Sequence, residues 1–188
     1  MGRHAGWLTA AAALGNNAPD LIYLPEMDFD PDDFVKRIGD LAKEKNSIVV
    51  AVSEGIKLAD GRFVCELSSS SDKLDAFGHK QLSGVGAYLS SLVTEKTGVK
   101  ARSIEFSTLQ RCASNVVSRT DADEAYNAGY LAAQKAFEGC TSEMITIKVE
   151  SRRPYLTSYD SFDIHGVANV ERKVPLEWII NDGTYVSD

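Results

Sequence analysis

The sequence predicts an α/β protein: a three-layer, Rossmann-like parallel sheet with helices on both faces. Three observations lead there. Two short segments, "LIYLPE" at 21–26 and "SIVVAVSEG" at 47–55, are apolar without alternation, the mark of strands buried on both faces. Helical segments alternate with them in the order helix, strand, helix, strand. The chain has 188 residues, 44% hydrophobic and 25% charged, enough for one good-sized domain or one domain plus part of another.

The opening "MGRHAGWLTAAAALG" reads as a cationic, glycine-hinged approach to an alanine-rich helix. Free N–H groups and the positive end of the helix dipole make such a place suit an anion. "NNAPD" breaks the helix, and the first strand ends at Pro25. Asp30 then caps a second helix, Pro31 fits its first turn, and Asp32 and Asp33 favour its positive end. Phe34, Ile38, Leu41 and Ala42 form its buried stripe. The second strand runs from Ile48 to Val52 and meets polar residues abruptly at Ser53-Glu54-Gly55.

"LADGRFVCEL" reads as a hairpin or an excursion, and "SSSSDKLDAFGHK" as a polar surface loop. A helix from Gly84 to Glu95 turns Tyr88, Leu89, Leu92 and Val93 inward. Gly84 and Gly86 lack the third glycine and the acidic partner of a dinucleotide fingerprint, so Gly84 is a helix-start glycine. "KARSIEFS" is expected to be a third strand running into "TLQRCASN". A long helix from Asp121 to Phe137 carries a Thr120/Asp121 cap, and "EMITIKVE" alternates as a strand does. In residues 151–188 we expect extended strands and a short final helix at "LEWII".

The net charge of −7 argues against a general nucleic-acid or membrane-surface binder. No apolar run approaches the ~20 residues that span a bilayer. Arg3 and His4 ahead of Trp7 and Thr9 do not make a signal peptide, so a cytoplasmic location is expected. Cys65, Cys112 and Cys140 are odd in number and far apart, without zinc spacing, and are expected to be reduced structural thiols.

In open parallel sheets, ligands collect at the carboxyl ends of strands and at adjoining helix starts. Three places qualify: Met1-Gly2-Arg3, Glu54, and the stretch from Arg102 to Arg111. Arginine suits a phosphate because its planar fork donates two parallel bonds. A glutamate facing neutral hydroxyls fixes a polyol. Phosphate plus hydroxyls describes a sugar phosphate.

Five blocks, "MGRHAGWLTAAAAL", "LIYLPE", "VVAVSEGI", "DAFGHKQLSGVGAYL" and "LQRCAS" followed by "TDADEA", occur in order. Together they resemble the C-terminal half of the 6-phosphofructokinases, along nearly the whole chain. "GRHAGWL", "LIYLPE" and "TLQRCAS" are closer to the pyrophosphate-dependent and mixed-donor branch than to the ATP-dependent bacterial enzymes. The resemblance implies a phosphofructokinase-like fold, incomplete relative to the full two-domain enzyme, and phosphorylation of fructose 6-phosphate to fructose 1,6-bisphosphate in glycolysis.

It also implies roles. Met1, Gly2 and Arg3 match the element that lies against fructose 6-phosphate. Glu54 matches the carboxylate that grips the sugar hydroxyls, and Arg111 the arginine that holds the 6-phosphate. Thr108 stands where other members place His or Tyr, and offers a hydroxyl without charge. Arg102 matches an arginine that reaches the 6-phosphate of a neighbouring subunit, so a complete site needs two chains.

The glycine-rich GGD-type element that holds the phosphoryl donor and the TID-type element with the catalytic aspartate are absent from this sequence. We therefore expect no catalytic base and no metal ligand here, with Mg²⁺ bound only in the complete enzyme. This chain alone should bind fructose 6-phosphate weakly and transfer no phosphoryl group. Residues 1–111 would form the sugar-phosphate domain, 112–150 would pack on the donor-binding domain, and 151–188 would return. The apolar side chains of helix 121–137, including Ala125, Ala128, Leu131, Ala132 and Phe137, would then lack cover, favouring a homodimer or larger oligomer. Two alternatives stay open: part of an ATP-dependent enzyme, and a stand-alone, non-catalytic sugar-phosphate-binding module.

Overall fold

A computed structural model describes residues 4–15, 17–67, 84–168 and 170–187. Met1, Gly2, Arg3 and residues 68–83, which include the segment expected as a polar surface loop with His79, lie outside the described residues. Two compact units divide the chain, one of residues 1–105 with 171–188 and the other of residues 106–170.

In the first unit, β1 (Leu21–Tyr23) and β2 (Val50–Val52) pair in parallel, Leu21 opposite Val50 and Tyr23 opposite Val52. Alternate side chains of β1 enter two different cores, which explains why the segment is apolar throughout. Leu21 and Tyr23 join Phe34 and Ile38 of α2 (Pro31–Glu44) and Val85, Leu89 and Val93 of α3 (Val85–Thr97). Ile22 and the following Leu24 face the other way, into a cluster with Val174 and Val186. Trp7 and Ala10 of α1 (Trp7–Ala10) and Ala13 of the 3₁₀ turn after it pack against that cluster. The parallel pair is thus covered on both faces, as the sequence predicts.

Local chemistry sets the helix limits. The Asp30 carboxylate caps α2 by accepting from the N–H groups of Asp32 (2.9 Å) and Asp33 (3.3 Å), with Pro31 in the first turn. Gly84 precedes α3 at φ +88°, a left-handed conformation that confirms it as a helix-start glycine. The strand start is tied down by Asp20, whose carboxylate accepts from the Val49 N–H (2.8 Å) and from the Lys45 ammonium. Hydrogen bonding to Lys45 leads the causes that hold Asp20 below the usual carboxylate range.

Tyr23 packs edge-on against Phe29 and Phe34, with ring centroids 5.1 and 5.5 Å away. Its hydroxyl is buried with no hydrogen-bond partner among the described residues, and burial pushes its pKa up to about 12. Tyr23→Phe keeps the packing and removes the orphan donor, so it should stabilise the chain by about 1 kcal/mol. A urea denaturation midpoint that fell in the variant would contradict this.

Three expectations need correction. "KARSIEFS" forms no strand: residues 98–106 are irregular, and the Ala101 N–H is occupied by the Thr94 side chain at 3.4 Å rather than by a β ladder. The long helix starts earlier than expected, as α5 (Arg119–Phe137), because Ser118 outcompetes Thr120/Asp121 as the cap and accepts from the Asp121 N–H. "LEWII" is one 3₁₀ turn, Leu176–Trp178, running straight into β5 (Ile179–Ile180), which pairs antiparallel with β6 (Tyr185–Val186). β-branched isoleucines favour the extended chain there. "LADGRFVCEL" is an excursion closed by a bridge between Lys57 and Phe63 and by a 3₁₀ turn, Val64–Leu67.

The second unit holds α4 (Ser107–Arg111), α5, and a long hairpin of β3 (Glu143–Arg152) and β4 (Tyr155–Asp163). Tyr155 donates to Glu124 of α5 at 2.8 Å, and Lys135 pairs with Glu143 at 3.6 Å. His165, without an assignable partner in the sequence, pairs through Nδ1 with Asp163 at 2.6 Å. No residue of α5 is buried, and Tyr126 and Phe137 are 74% and 93% exposed. Cys65 is buried, Cys140 half-buried and Cys112 exposed.

Candidate functional site

Glu54 stands where the chain leaves β2. The Ser53 N–H donates to the Tyr23 carbonyl at 3.0 Å, carrying the parallel ladder one residue beyond the strand. The Ile56 N–H then turns back onto the Ser53 carbonyl at 3.4 Å, and the Ser53 hydroxyl accepts from Gly55. Ser53, Gly55 and Ile56 are buried, and Glu54 alone in this turn is exposed. The apolar strand and the tight turn thus present one carboxylate at the carboxyl end of a parallel strand, the usual ligand-binding position of such sheets.

The environment of Glu54 disfavours its charge. Desolvation by the surrounding turn raises its pKa above the ordinary glutamate value, and the nearby Glu105 carboxylate adds to the rise. No described residue donates a hydrogen bond or an ion pair to it. A strand-end carboxylate with a raised pKa and no partner among the described residues marks a candidate functional site.

Glu105 lies on the irregular segment that also holds Arg102. Arg102 is exposed, and its guanidinium has no ion-pair partner among the described residues. Three other arginines are engaged, Arg37 with Asp33 at 2.5 Å, Arg62 with Asp60 at 2.7 Å and Arg119 with Asp123 at 3.6 Å, while exposed Arg152 and Arg153 also lack an ion pair among the described residues. In the second unit, Thr108 and Arg111 lie one turn apart on α4, on one side of the helix. Both are exposed, and Arg111 likewise lacks an ion-pair partner among the described residues. The structure therefore associates Arg102 and Glu54 with one unit and Thr108 and Arg111 with the other. Met1, Gly2 and Arg3 lie outside the described residues.

Sequence reasoning missed two carboxylates. Glu105 falls inside the segment expected as a strand, and Glu26 follows Pro25 at the end of "LIYLPE". Glu26 Oε1 accepts from the N–H groups of Gly6 and Val174, both at 2.9 Å, so the opening loop and the C-terminal segment meet on one side chain. Nothing local in the sequence could show a contact spanning 148 residues. Among the described residues, no group of three or more His, Cys, Asp or Glu side chains could hold a metal ion.

A parallel α/β layer with a carboxylate at the carboxyl end of a strand places this chain among the α/β proteins whose ligands collect at strand ends. The sequence model of the family described as "PFK: Phosphofructokinase" matches residues 1–134, and the chain belongs to that family. The pyrophosphate–fructose 6-phosphate 1-phosphotransferase of Methylococcus capsulatus is 38% identical over 192 residues, covering 100% of this chain and 45% of that protein. The corresponding protein of Rhodospirillum rubrum is 39% identical over 191 residues, 97% of this chain and 47% of its own length. The chain thus spans about half the length of these relatives. Among solved structures, the pyrophosphate-dependent phosphofructokinase of Nitrosospira multiformis superposes with a TM-score of 0.77 at 32% identity, covering 100% of this chain and 43% of that one.

Proposed function

We propose that this chain supplies the sugar-phosphate half of a cytoplasmic, pyrophosphate-dependent phosphofructokinase, which phosphorylates fructose 6-phosphate at its 1-hydroxyl. The observation that carries this is Glu54: one partly desolvated carboxylate, without a partner among the described residues, at the end of a parallel strand. It accepts hydrogen bonds from the sugar hydroxyls. Arg111, with Thr108 beside it, takes the 6-phosphate, Met1-Gly2-Arg3 lies along the sugar, and Arg102 serves the 6-phosphate of a neighbouring subunit. Within this reading residues 1–111 carry the sugar site, 112–150 pack on a donor-binding domain, and 151–188 return.

Pyrophosphate is favoured as donor because four relatives named for it match 97–100% of this chain. An ATP-dependent 6-phosphofructokinase of Streptomyces coelicolor matches 79% at 30% identity. We assign no catalytic base to this sequence. Mg²⁺ would be bound in the complete enzyme, with its ligands outside this chain. Their contribution is positioning and charge complementarity, which carry most of the catalysis in phosphoryl transfer.

An NMR-monitored titration with fructose 6-phosphate, run beside a coupled assay with pyrophosphate or ATP, tests this reading. Amide shifts around residues 53–56 with an affinity weaker than micromolar, and no turnover, are expected. Unmoved amides in that turn overturn the site, and turnover above background overturns the absence of a base. Tight, micromolar binding favours the stand-alone module instead. Exposed Tyr126, Tyr130 and Phe137 favour self-association, so the same sample should sediment as a dimer or larger; a monomer argues against the two-chain site.

A further inference from the structure

We infer that the outer edge of β3 is an interface for a second copy of this chain, the two hairpins joining into one four-stranded antiparallel sheet centred on Ile147. The interface uses no residue of the sugar site and concerns the chain as it stands, without a donor-binding domain beside it.

The second unit lacks what a stable unit needs. None of its described residues is buried, and its sheet is the single hairpin of β3 and β4. A two-stranded hairpin is marginal in water, and three or more strands with an apolar face are needed. One face of the hairpin is covered by α5: Asn127 donates to the Tyr159 hydroxyl at 3.4 Å, Tyr155 to Glu124 at 2.8 Å, and Lys135 pairs with Glu143 at 3.6 Å. Ile145, Ile147 and Val149 share that face, opposite Ser161, Tyr159 and Thr157. Ile147 and Val149 nevertheless stay 44% and 48% exposed, because β3 pairs only with β4 among the described residues.

A second β3 fits the open side. A strand edge rich in Ile, Thr and Val, with no proline, is a template for pairing. A two-fold axis perpendicular to the sheet sets residues of like parity opposite each other. Centred on Ile147, it places Ile147 against its own copy, Ile145 against Val149 and Thr146 against Lys148. Apolar side chains then meet on the covered face, and no like charges stand opposite. Centring one residue later would set Lys148 against Lys148, which is unfavourable. The bulge between Val149 and Ser151 ends the run.

The covering helix leaves room for its copy. Asn127 bonds to β4 and Lys135 to β3, which orients α5 over the hairpin. At about 100° per residue, Ala125, Gly129, Ala132 and Ala136 fall on the Lys135 flank, towards the open edge. All four are exposed, and a Cβ added to Gly129 would meet nothing within 4 Å. Small side chains let two helices pack about 8–10 Å apart. Four strands about 4.8 Å apart make a floor wide enough for both, and the two-fold axis keeps both helices on the same face.

Sedimentation of the full chain over a range of concentrations, without sugar, tests the interface. The unaltered chain should dimerise, and hydrogen exchange should show the amides of 145–149 more protected as concentration rises. Ile147→Lys sets two ammonium groups against each other across the axis and should weaken the dimer about tenfold or more. Ile147→Val keeps a β-branched apolar contact and should retain it. With Cys112 and Cys140 replaced by serine, Ile147→Cys should cross-link under diamide, whereas Thr146→Cys, opposite Lys148 of the second copy, should not. A dimer that Ile147→Lys leaves intact, or equal cross-linking at both positions, overturns this interface and spares the two-chain sugar site. A chain that stays monomeric counts against both. If Ile147→Lys does not fold, the two cysteine variants still decide the matter.

Discussion

Glu54→Gln should weaken fructose 6-phosphate binding about tenfold to a hundredfold while raising the thermal stability of the chain. The loss follows from replacing a charged acceptor by a neutral one; hydrogen bonds to charged groups contribute about 1.5–3 kcal/mol. The gain follows from the raised pKa of Glu54, caused first by desolvation and then by Glu105. A carboxyl whose pKa is higher in the folded than in the unfolded chain binds its proton more tightly when folded. Stability therefore falls as pH rises from the ordinary glutamate pKa through the raised one, and the penalty is fully present above it. Glutamine removes the penalty and flattens that part of the pH profile. Sugar affinity in the unaltered chain should rise with pH through the same window, as the acceptor ionises. Titrations and thermal melts between pH 4 and 8 measure both (about the range in which a perturbed carboxyl titrates). A variant that binds as well as the original, or melts lower at neutral pH, contradicts the assignment.

Ile22→Ala should cost about 2–5 kcal/mol, the largest stability effect expected in the first unit. Ile22 is fully buried, its side chain meets Leu24, Val174 and Val186, and its N–H donates to the Thr184 carbonyl at 2.8 Å. The cavity would open between β1 and the C-terminal segment, where Trp7 also packs. The urea midpoint should drop with an unchanged slope, and the Trp7 environment should loosen with it. By contrast Val49→Ala, at a side chain 54% exposed, should change stability by less than about 0.5 kcal/mol. Equal effects at the two positions would mean that the second core contributes little.

The legible parts of the fold were those carried by local chemistry. Asp30 and Pro31 mark the start of α2 because the cap and the first turn involve only neighbouring N–H groups. The unbroken apolar runs of β1 and β2 announce strands covered on both faces, and Glu54 stands out because it follows one of them directly. "KARSIEFS" misled for the opposite reason. Its alternation suits a strand, yet a strand needs a ladder partner, and here a Thr94 hydroxyl takes the Ala101 N–H instead. Ser118 against Thr120 as the cap of α5 is a choice among adjacent residues with similar capping ability, which composition alone does not decide.

The sequence by itself determined the parallel α/β class, the strand-end position of Glu54 and, through its five blocks, membership of the phosphofructokinase family. Each depends on short-range spacing or on a pattern carried along the chain. Only the tertiary structure decided that Glu54 is partly desolvated near Glu105, that Arg102 and Arg111 have no ion-pair partner among the described residues, and that Glu26 joins Gly6 to Val174. These depend on which distant segments meet, because desolvation and hydrogen bonding are set by neighbours in space rather than along the chain.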